Sequence, residues 1–232
     1  MQFDVIVCDF PWRFSDKLQH SDVKRGAEAN YSTMTMAEIK SLPIKELASE
    51  DGCILCLWCP SSLLKEGMEV MESYNFNLKQ TYIWVKTKKS PLEDFKKWIK
   101  QKVLKHPQLV YDKRATNSIM ENIENIDLND SLGFGMGRLF RNCHEICLIG
   151  INNNGIYKKL KNKSQRTVSL SPNFKHSKKP EFLQDSLELM FKGSETKFLE
   201  LFARREKEGW ICLGNQVGEK IDIRESIEKL LT

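Results

Sequence analysis

A chain of 232 residues, of which 41% are hydrophobic and 29% charged, can bury one substantial core and has the composition of a globular protein. It has no apolar run near the roughly 18–20 residues that span a bilayer, no signal-peptide pattern, and an odd number of cysteines, seven, in hydrophobic surroundings. These features exclude an integral membrane protein and a disulfide-stabilised secreted domain, and they predict an intracellular protein.

The net charge of +5 is concentrated in two segments. Ten Lys or Arg and three acidic residues lie from Lys86 to Arg114, and eight Lys or Arg with no acidic residue lie from Asn152 to Lys179. Concentrated basic charge favours a polyanionic partner. Flexible, solvated loops would have the same composition, so both interpretations stay open.

Short apolar runs rich in β-branched residues predict the strands of the fold. In chain order they fall at 3–8, 53–58, 81–85, 144–149, 198–202 and 210–213. Helical patterns lie between several of them. Strands that alternate with helices predict an α/β fold with a mostly parallel sheet covered by helices on both faces.

The predicted helices have recognisable starts. Thr35 and Glu38 form a capping-box pair, and Pro43 interrupts the helix that they begin. Pro60 is typical of the next helix start. Helices are also predicted at 181–191 and 224–231. The helix after Pro60 has helically spaced apolar residues that should face the core: Leu63, Leu64, Met68 and Met71.

The alternating pattern is interrupted at about 86–130, which is rich in Lys, Asn and Ile. We interpret this stretch as a basic insert of helices and loops within a single domain that covers 1–232. The string Cys53, Cys56 and Cys59 lies in a predicted buried strand. Residues three apart on a strand point to opposite faces, so these thiols are expected in the core and no metal site is predicted.

The tetrapeptide Asp9-Phe10-Pro11-Trp12 directly follows the first strand, where α/β proteins bind ligands. The Asp9 carboxylate and the Phe10 carbonyl could accept the two hydrogens of an exocyclic base amine, and Trp12 could stack on an extruded base. A strand-end turn with a capping Asp and a core Trp would have the same sequence. The tetrapeptide alone leaves both interpretations open.

The chain as a whole resembles the adenine methyltransferase family that contains the catalytic subunit of the eukaryotic mRNA adenosine methyltransferase and bacterial and phage DNA relatives. The family signature is Asp-Pro-Pro-Trp, and similar blocks follow in the family order. They are Asn30-Tyr31-Ser32-Thr33-Met34, Leu57-Trp58, Trp84-Val85-Lys86, Gly135 to Arg138, Glu145-Ile146-Cys147-Leu148, His176-Ser177-Lys178-Lys179-Pro180, Glu200-Leu201-Phe202-Ala203-Arg204, Gly209-Trp210 and Leu213-Gly214-Asn215-Gln216.

The resemblance implies a Rossmann-like methyltransferase fold that uses S-adenosylmethionine. It implies that Asp9 contacts both the target amine and the methionine amino group of the cofactor, within a catalytic group of Asp9, Phe10, Pro11 and Trp12. Lys179 should pair with the methionine carboxylate. The cofactor ribose should be held by Arg204, Asn215 and Gln216, and the substrate pocket should be lined by Trp12, Tyr31 and Glu145. The alternatives are a solvated side chain for Lys179, a surface ion pair for Arg204 and a turn-forming role for Asn215.

In relatives, an Asp-Ile-Arg-like element upstream of the signature strand contacts the cofactor adenine. Here Asp222-Ile223-Arg224 lies near the C-terminus, which implies a circularly permuted arrangement with Asp222 and Ile223 at the cofactor. Asp222 as a plain helix N-cap is the rival interpretation.

Two features depart from known patterns. Phe10 replaces the first Pro of the signature, which keeps the carbonyl but loses the rigidity of Pro. The glycines Gly133, Gly135 and Gly137 resemble a phosphate-binding loop, but they follow no predicted strand, and a loop beside the substrate cleft is expected instead.

We therefore expect a cytoplasmic prokaryotic or phage enzyme that methylates the N6 amine of adenine in DNA, without a metal or a membrane. DNA is preferred to RNA because the chain is compact and lacks appended RNA-binding modules. The alternatives are an RNA adenosine N6-methyltransferase and a catalytically inactive, nucleic-acid-binding subunit of a methyltransferase complex. A homodimer, or a heterodimer with a related subunit, is compatible with each.

Overall fold

The computed structural model describes residues 1–13, 33–88, 97, 101, 111, 113–114, 117, 128–133, 135, 137, 139–172, 179–218 and 222–232. The chain divides into two compact units. The first comprises Met1–Ile83, Glu145–Thr167 and Glu181–Thr232, and the second comprises Trp84–His144 and Val168–Pro180. Among the described residues, no helix has the length and apolar character needed to cross a membrane.

Seven strands form one mixed sheet in the order β5-β3-β4-β2-β1-β6-β7. Their bounds are β1 Val5–Cys8, β2 Ile54–Cys59, β3 Asn77–Thr87, β4 His144–Ile151, β5 Val168–Pro172, β6 Phe198–Leu201 and β7 Trp210–Leu213. β1 is parallel to β2 and to β6, and β6 is parallel to β7. β4 runs antiparallel to β2. The predicted α/β class with a mostly parallel sheet is confirmed.

The α-helices follow the predicted starts closely. Those with described bounds are α1 Met36–Lys40, α2 Ile44–Leu47, α3 Leu64–Ser73, α4 Ile156–Lys159, α5 Phe182–Phe191 and α6 Ile223–Leu231. The capping box is present: the Thr35 hydroxyl accepts from the Glu38 N–H, and the Glu38 carboxylate accepts from the Thr35 N–H at 2.8 Å. Pro43 separates α1 from α2, as predicted, because it cannot donate a helical hydrogen bond.

Helices cover both faces of the sheet in the first unit. Alternate strand residues on one face, such as Ile6 and Leu55, belong to the main core cluster together with residues of α1, α2, α3 and α6. The opposite face packs on α5, where the rings of Phe191 and Phe198 lie 6.2 Å apart. Burial on both faces explains why β1 and β2 read as continuous apolar runs.

Three details differ from the sequence predictions. β5 and α4 were not predicted, because their sequences are short and polar or basic. β3 begins earlier than expected, at Asn77, because its first five residues are exposed and lack an apolar pattern. The predicted core position of Met68 is wrong: its side chain is 39% exposed, and Gly67 faces the core instead. A Cβ on Gly67 would lie 2.6 Å from the Cys59 Sγ, so this turn of α3 approaches β2 too closely for a side chain.

The predicted basic insert at about 86–130 falls within the second unit, and most of it lies outside the described residues. The single domain over 1–232 therefore stays a prediction, as does the circular permutation. Within the second unit, the Trp84 indole donates to the Ser171 carbonyl at 3.3 Å, and the Gly133 N–H donates to the Lys86 carbonyl at 2.6 Å.

Candidate active site

Several predicted site residues of the first unit lie at one edge of the sheet. β1, β2, β6 and β7 are parallel and end there, and the antiparallel β4 begins there because Ile146 pairs with Cys59. This edge, which we call the carboxyl edge, therefore contains the segments with Asp9–Trp12, Glu145, Arg204 and Asn215–Gln216. With neighbouring strands about 4.8 Å apart, β7 lies about 10 Å from the interior strand β1.

Asp9 is the half-buried residue that follows β1 directly. The neighbouring strand β6 fixes its surroundings, because Val7 pairs with Glu200 and Cys8 pairs with Leu201. Burial raises the pKa of Glu200, and the negative charge of Asp9 raises it further, whereas a hydrogen bond from Gln184 lowers it. Burial likewise raises the pKa of the Cys8 thiol, with a smaller contribution from Asp9. The half-buried Asp9 carboxylate therefore lies near a second carboxyl group, that of Glu200.

A tight turn fixes the backbone after Asp9. The Trp12 N–H donates to the Phe10 carbonyl at 2.9 Å, so that oxygen keeps one further lone pair for another donor. The Met34 N–H donates to the Pro11 carbonyl at 2.8 Å, and the Arg13 N–H donates to the Met34 carbonyl at 3.2 Å. These bonds join the signature tetrapeptide to the segment that starts α1.

Phe10, which replaces the first Pro of the family signature, is a core residue. Its side chain is 3% exposed, and its ring makes edge-to-face contacts with Trp12 at 5.8 Å and with Phe202 at 5.2 Å. These contacts hold the ring from two sides. Tertiary packing thus limits the position of the Phe10 carbonyl, which the ring of Pro would otherwise restrict.

Trp12 is also buried, at 5% exposure, and its indole N–H donates to the Trp58 carbonyl at the end of β2 at 3.0 Å. Most of the Trp12 side chain therefore lies in the core, as the alternative interpretation of the tetrapeptide predicts. The same hydrogen bond places the indole at the carboxyl edge. The role of Trp12 in stacking on a substrate base stays a prediction.

The loops after β6 and β7 lie against each other. The Ala203 N–H donates to the Leu213 carbonyl at 2.9 Å, and a Cβ on Gly214 would lie 2.4 Å from the Ala203 carbonyl oxygen. Phe202 has a φ of 62°, an unfavourable conformation for a bulky side chain that persists where packing enforces it. This contact places the segment with half-buried Arg204 beside the segment with exposed Asn215 and Gln216.

Asp222 caps the N-terminus of α6, and its Oδ1 accepts from the Arg224 N–H at 2.9 Å. The structure therefore shows the helix N-cap role, which was the rival interpretation of Asp222. The Arg224 guanidinium donates to Glu38 at 3.2 Å, which links this end of α6 to the capping box of α1. Ile223 is buried in the core cluster. Contact of Asp222 and Ile223 with a cofactor adenine stays a prediction.

Three further predicted site residues remain: Glu145, Lys179 and Tyr31. Glu145 is half-buried at the start of β4, in the first unit. Lys179 is half-buried and belongs to the second unit, so its contact with a methionine carboxylate stays a prediction. Tyr31 lies outside the described residues.

Sequence reasoning missed Glu200 and Gln184 as functional candidates. Gln184 of α5 is 1% exposed, and the Glu200 Oε2 atom is buried without a hydrogen-bond partner among the described residues. A charged residue within the apolar run Phe198–Leu201 was the available signal, because buried carboxyl groups are costly and tend to occur at functional sites.

A protein-family model described as MT-A70 matches residues 3–116 and 119–216. The chain belongs to the MT-A70 family. A curated relative in Oryza sativa subsp. japonica, named a probable N(6)-adenosine-methyltransferase MT-A70-like, is 26% identical over 218 residues, which cover 93% of this chain and 23% of the relative. The chain thus spans about a quarter of the length of that relative.

MT-A70 membership confirms the family predicted from the ordered sequence blocks. The match includes every predicted site residue except Asp222 and Ile223, which follow its last residue. The seven-stranded sheet with helices on both faces agrees with the fold that this family membership implies.

Proposed function

We propose that this MT-A70 protein transfers a methyl group from S-adenosylmethionine to the N6 amine of adenine in DNA. The observation that carries the proposal is the geometry at the end of β1. A half-buried carboxylate, Asp9, is followed by a main-chain carbonyl that a tight turn and a packed side chain hold in place. Family membership, and the name of the rice relative, support adenine as the target.

The residues around the β6–β7 contact fit the ribose part of such a cofactor. Two exposed amide side chains, Asn215 and Gln216, follow Gly214, and half-buried Arg204 follows Ala203; together they offer donors and acceptors suited to hydroxyl groups. The Gly214 backbone lies against Ala203, which keeps the two loops together. We propose that Lys179 pairs with the methionine carboxylate. When bound, the cofactor supplies an electrophilic methyl group on a sulfonium.

Asp9 and the Phe10 carbonyl would act on the second reactant, the target adenine. The lone pair of the adenine amine is delocalised into the ring, so this nitrogen is a weak nucleophile. Hydrogen bonds from its two N–H groups to the Asp9 carboxylate and the Phe10 oxygen would localise that lone pair and fix its direction. The carboxylate of Asp9 would also stabilise the positive charge that develops on the nitrogen, and would accept its extra proton. A base in a duplex must first be flipped out of the stack.

The test measures methylated nucleosides after incubation with isotopically labelled S-adenosylmethionine and matched DNA and RNA oligonucleotides. Digestion and mass spectrometry should show labelled N6-methyldeoxyadenosine, and in competition the DNA should be methylated faster than the RNA. Asp9→Asn should lower kcat by at least about 100-fold, because it removes a charge that stabilises the transition state. Asp51→Asn, which changes an exposed carboxylate at the opposite edge of the sheet, should leave kcat unchanged.

Other outcomes would select the alternatives. If the RNA is methylated faster than the DNA, RNA is the preferred substrate and the proposal for DNA is refuted. Full activity of Asp9→Asn would refute the assignment of Asp9. A parent protein that makes no product, and whose melting temperature is unchanged by S-adenosylmethionine, would instead be a non-catalytic, nucleic-acid-binding subunit.

A further inference from the structure

A basic segment of the first unit remains unexplained by the candidate active site. Residues 157–167 include five Lys or Arg and no acidic residue. Lys159 is used internally, because its Nζ donates to the buried Asp4 carboxylate at 2.6 Å. The other four side chains are exposed. Arg166 is set apart, because the carbonyl of the next residue, Thr167, accepts from the Ile83 N–H of β3 at 2.8 Å. We call the remaining three the basic strip: Lys158, Lys161 and Lys163.

The basic strip lies at the edge of the sheet opposite Asp9. β4 runs antiparallel to β2, so its last residue, Ile151, pairs with the first residue of β2, Ile54. The chain therefore leaves β4 at the amino edge of the parallel strands, where Lys159 meets Asp4 just before β1. Five residues of extended chain separate Asp4 from Asp9, which corresponds to about 16 Å.

The backbone under the basic strip is anchored. The N–H groups of Lys161 and Asn162 both donate to the Met190 carbonyl of α5, at 2.8 and 3.1 Å. The Asn162 side chain accepts from the Ser164 N–H at 2.8 Å, which stabilises the next turn. The three charges of the strip are thus displayed from a fixed chain at this edge, which makes a simple flexible, solvated loop a poor description.

The neighbouring elements contribute charges of both signs. Exposed Lys192 follows α5, close to the carbonyl that Lys161 binds. Exposed Glu50 and Asp51 lie beside the start of α4, where their carbonyls contact Asn153 and Gly155. The acidic side chains are therefore near the beginning of the segment, and the positive charge increases toward Lys163.

We infer that the basic strip binds the phosphate backbone of the same nucleic acid whose adenine lies at Asp9. This inference rests on the proposed function. At about 3.4 Å of strand per nucleotide, 16 Å corresponds to about five nucleotides, and the path over the surface is longer. The strip would contact phosphates at least that far from the target base. Exposed Tyr157, at the beginning of the segment, adds an aromatic ring on which a base can stack.

The test uses two fluorescein-labelled single-stranded DNA oligonucleotides with the same central adenine, one of about 6 and one of about 24 nucleotides. The triple variant K158Q/K161Q/K163Q is compared with K45Q/K65Q/K229Q, which removes three exposed lysines outside the strip. Anisotropy titrations give Kd, and methylation assays give KM and kcat. Both variants lose the same net charge, so a general electrostatic effect is matched.

We expect the strip variant to bind the 24-mer at least about tenfold more weakly, with a salt dependence of log Kd that is less steep by about 2, since three phosphate contacts are lost. Its Kd for the 6-mer, and its kcat, should equal those of the parent. The control variant should bind both oligonucleotides as the parent does.

Equal binding of the 24-mer by the strip variant and the parent would overturn the inference and assign the strip to another partner, such as an acidic protein. An equal loss of affinity of the strip variant for the 6-mer and the 24-mer would also overturn the inference. The proposed function fails separately: a parent that makes no methylated product, yet binds the 24-mer through the strip, would refute catalysis and leave the binding surface intact.

Discussion

Replacement of Gly214 by Ala tests the contact that holds the two candidate cofactor loops together. An ideal Cβ at this position lies 2.4 Å from the Ala203 carbonyl oxygen and 2.8 Å from the Ala203 nitrogen. Both are main-chain atoms, so no side-chain rotation can relieve the contact. The loop after β6 or the loop after β7 must move by at least 0.6 Å to bring the closest of these separations to 3.0 Å.

This displacement has two expected consequences. Overpacking of this size costs about 1–3 kcal/mol, and for a chain of this length each kcal/mol lowers Tm by about 2–4 °C. The same movement separates Arg204 from Asn215 and Gln216. A misplacement approaching 1 Å can cost on the order of 100-fold at a preorganised site, so we expect a 10–100-fold weaker Kd for the demethylated cofactor product, S-adenosylhomocysteine.

Isothermal titration calorimetry gives this Kd, and thermal unfolding gives Tm. Gly209→Ala is the matched control, because Gly209 has a φ of 78° and an added Cβ would meet nothing within 4 Å among the described residues. It should cost about 1–2 kcal/mol of stability from backbone strain alone and leave Kd unchanged within about twofold. A Gly214→Ala protein that binds S-adenosylhomocysteine with the parent Kd would refute the role of this contact.

Two further predictions concern buried polar groups. Tyr74→Phe removes a hydroxyl that donates to the Ile39 carbonyl. Urea unfolding should show that the free energy of unfolding falls by about 0.5–1.5 kcal/mol. The control, Tyr157→Phe, changes an exposed ring and should leave the free energy of unfolding unchanged. Because burial raises the pKa of Glu200, the neutral form stabilises the fold fully below the ordinary Glu pKa of about 4.3, and this stabilisation is lost as the pH rises through the raised pKa. Glu200→Gln should therefore gain stability relative to the parent in urea unfolding as the pH rises above about 4.3. Parallel pH profiles for the two proteins would contradict this assignment.

Local patterns in the sequence predicted most of the elements because their causes are local. The capping box of Thr35 and Glu38 needs only four consecutive residues, and the structure has it at that position. The buried strands β1 and β2 are continuous apolar runs because both faces are covered. In contrast, the exposed start of β3 at Asn77 and the polar strand β5 have no such pattern. Their strand character depends on pairing with neighbours that are distant in sequence.

The sequence also indicated which segments carry the candidate site, since ligands bind where parallel strands end. It could not show how those segments are supported. The contact of Phe10 with Phe202, which helps to bury Phe10 beside Trp12, joins residues about 190 positions apart. The contact of Gly214 with Ala203 joins residues 11 positions apart. The proximity of Glu200 to Asp9 depends on the pairing of β6 with β1 and has no local signature.

By itself, the sequence determined the α/β class, the family and the signature at Asp9, because apolar periodicity, capping and ordered blocks are properties of short segments. Only the tertiary structure decided that Phe10 and Trp12 are held in the core and that Asp222 caps a helix. It also decided that the basic strip lies at the edge opposite Asp9. The reason is strand direction: β4 is antiparallel to β2, and no local residue pattern encodes the pairing partner of a strand.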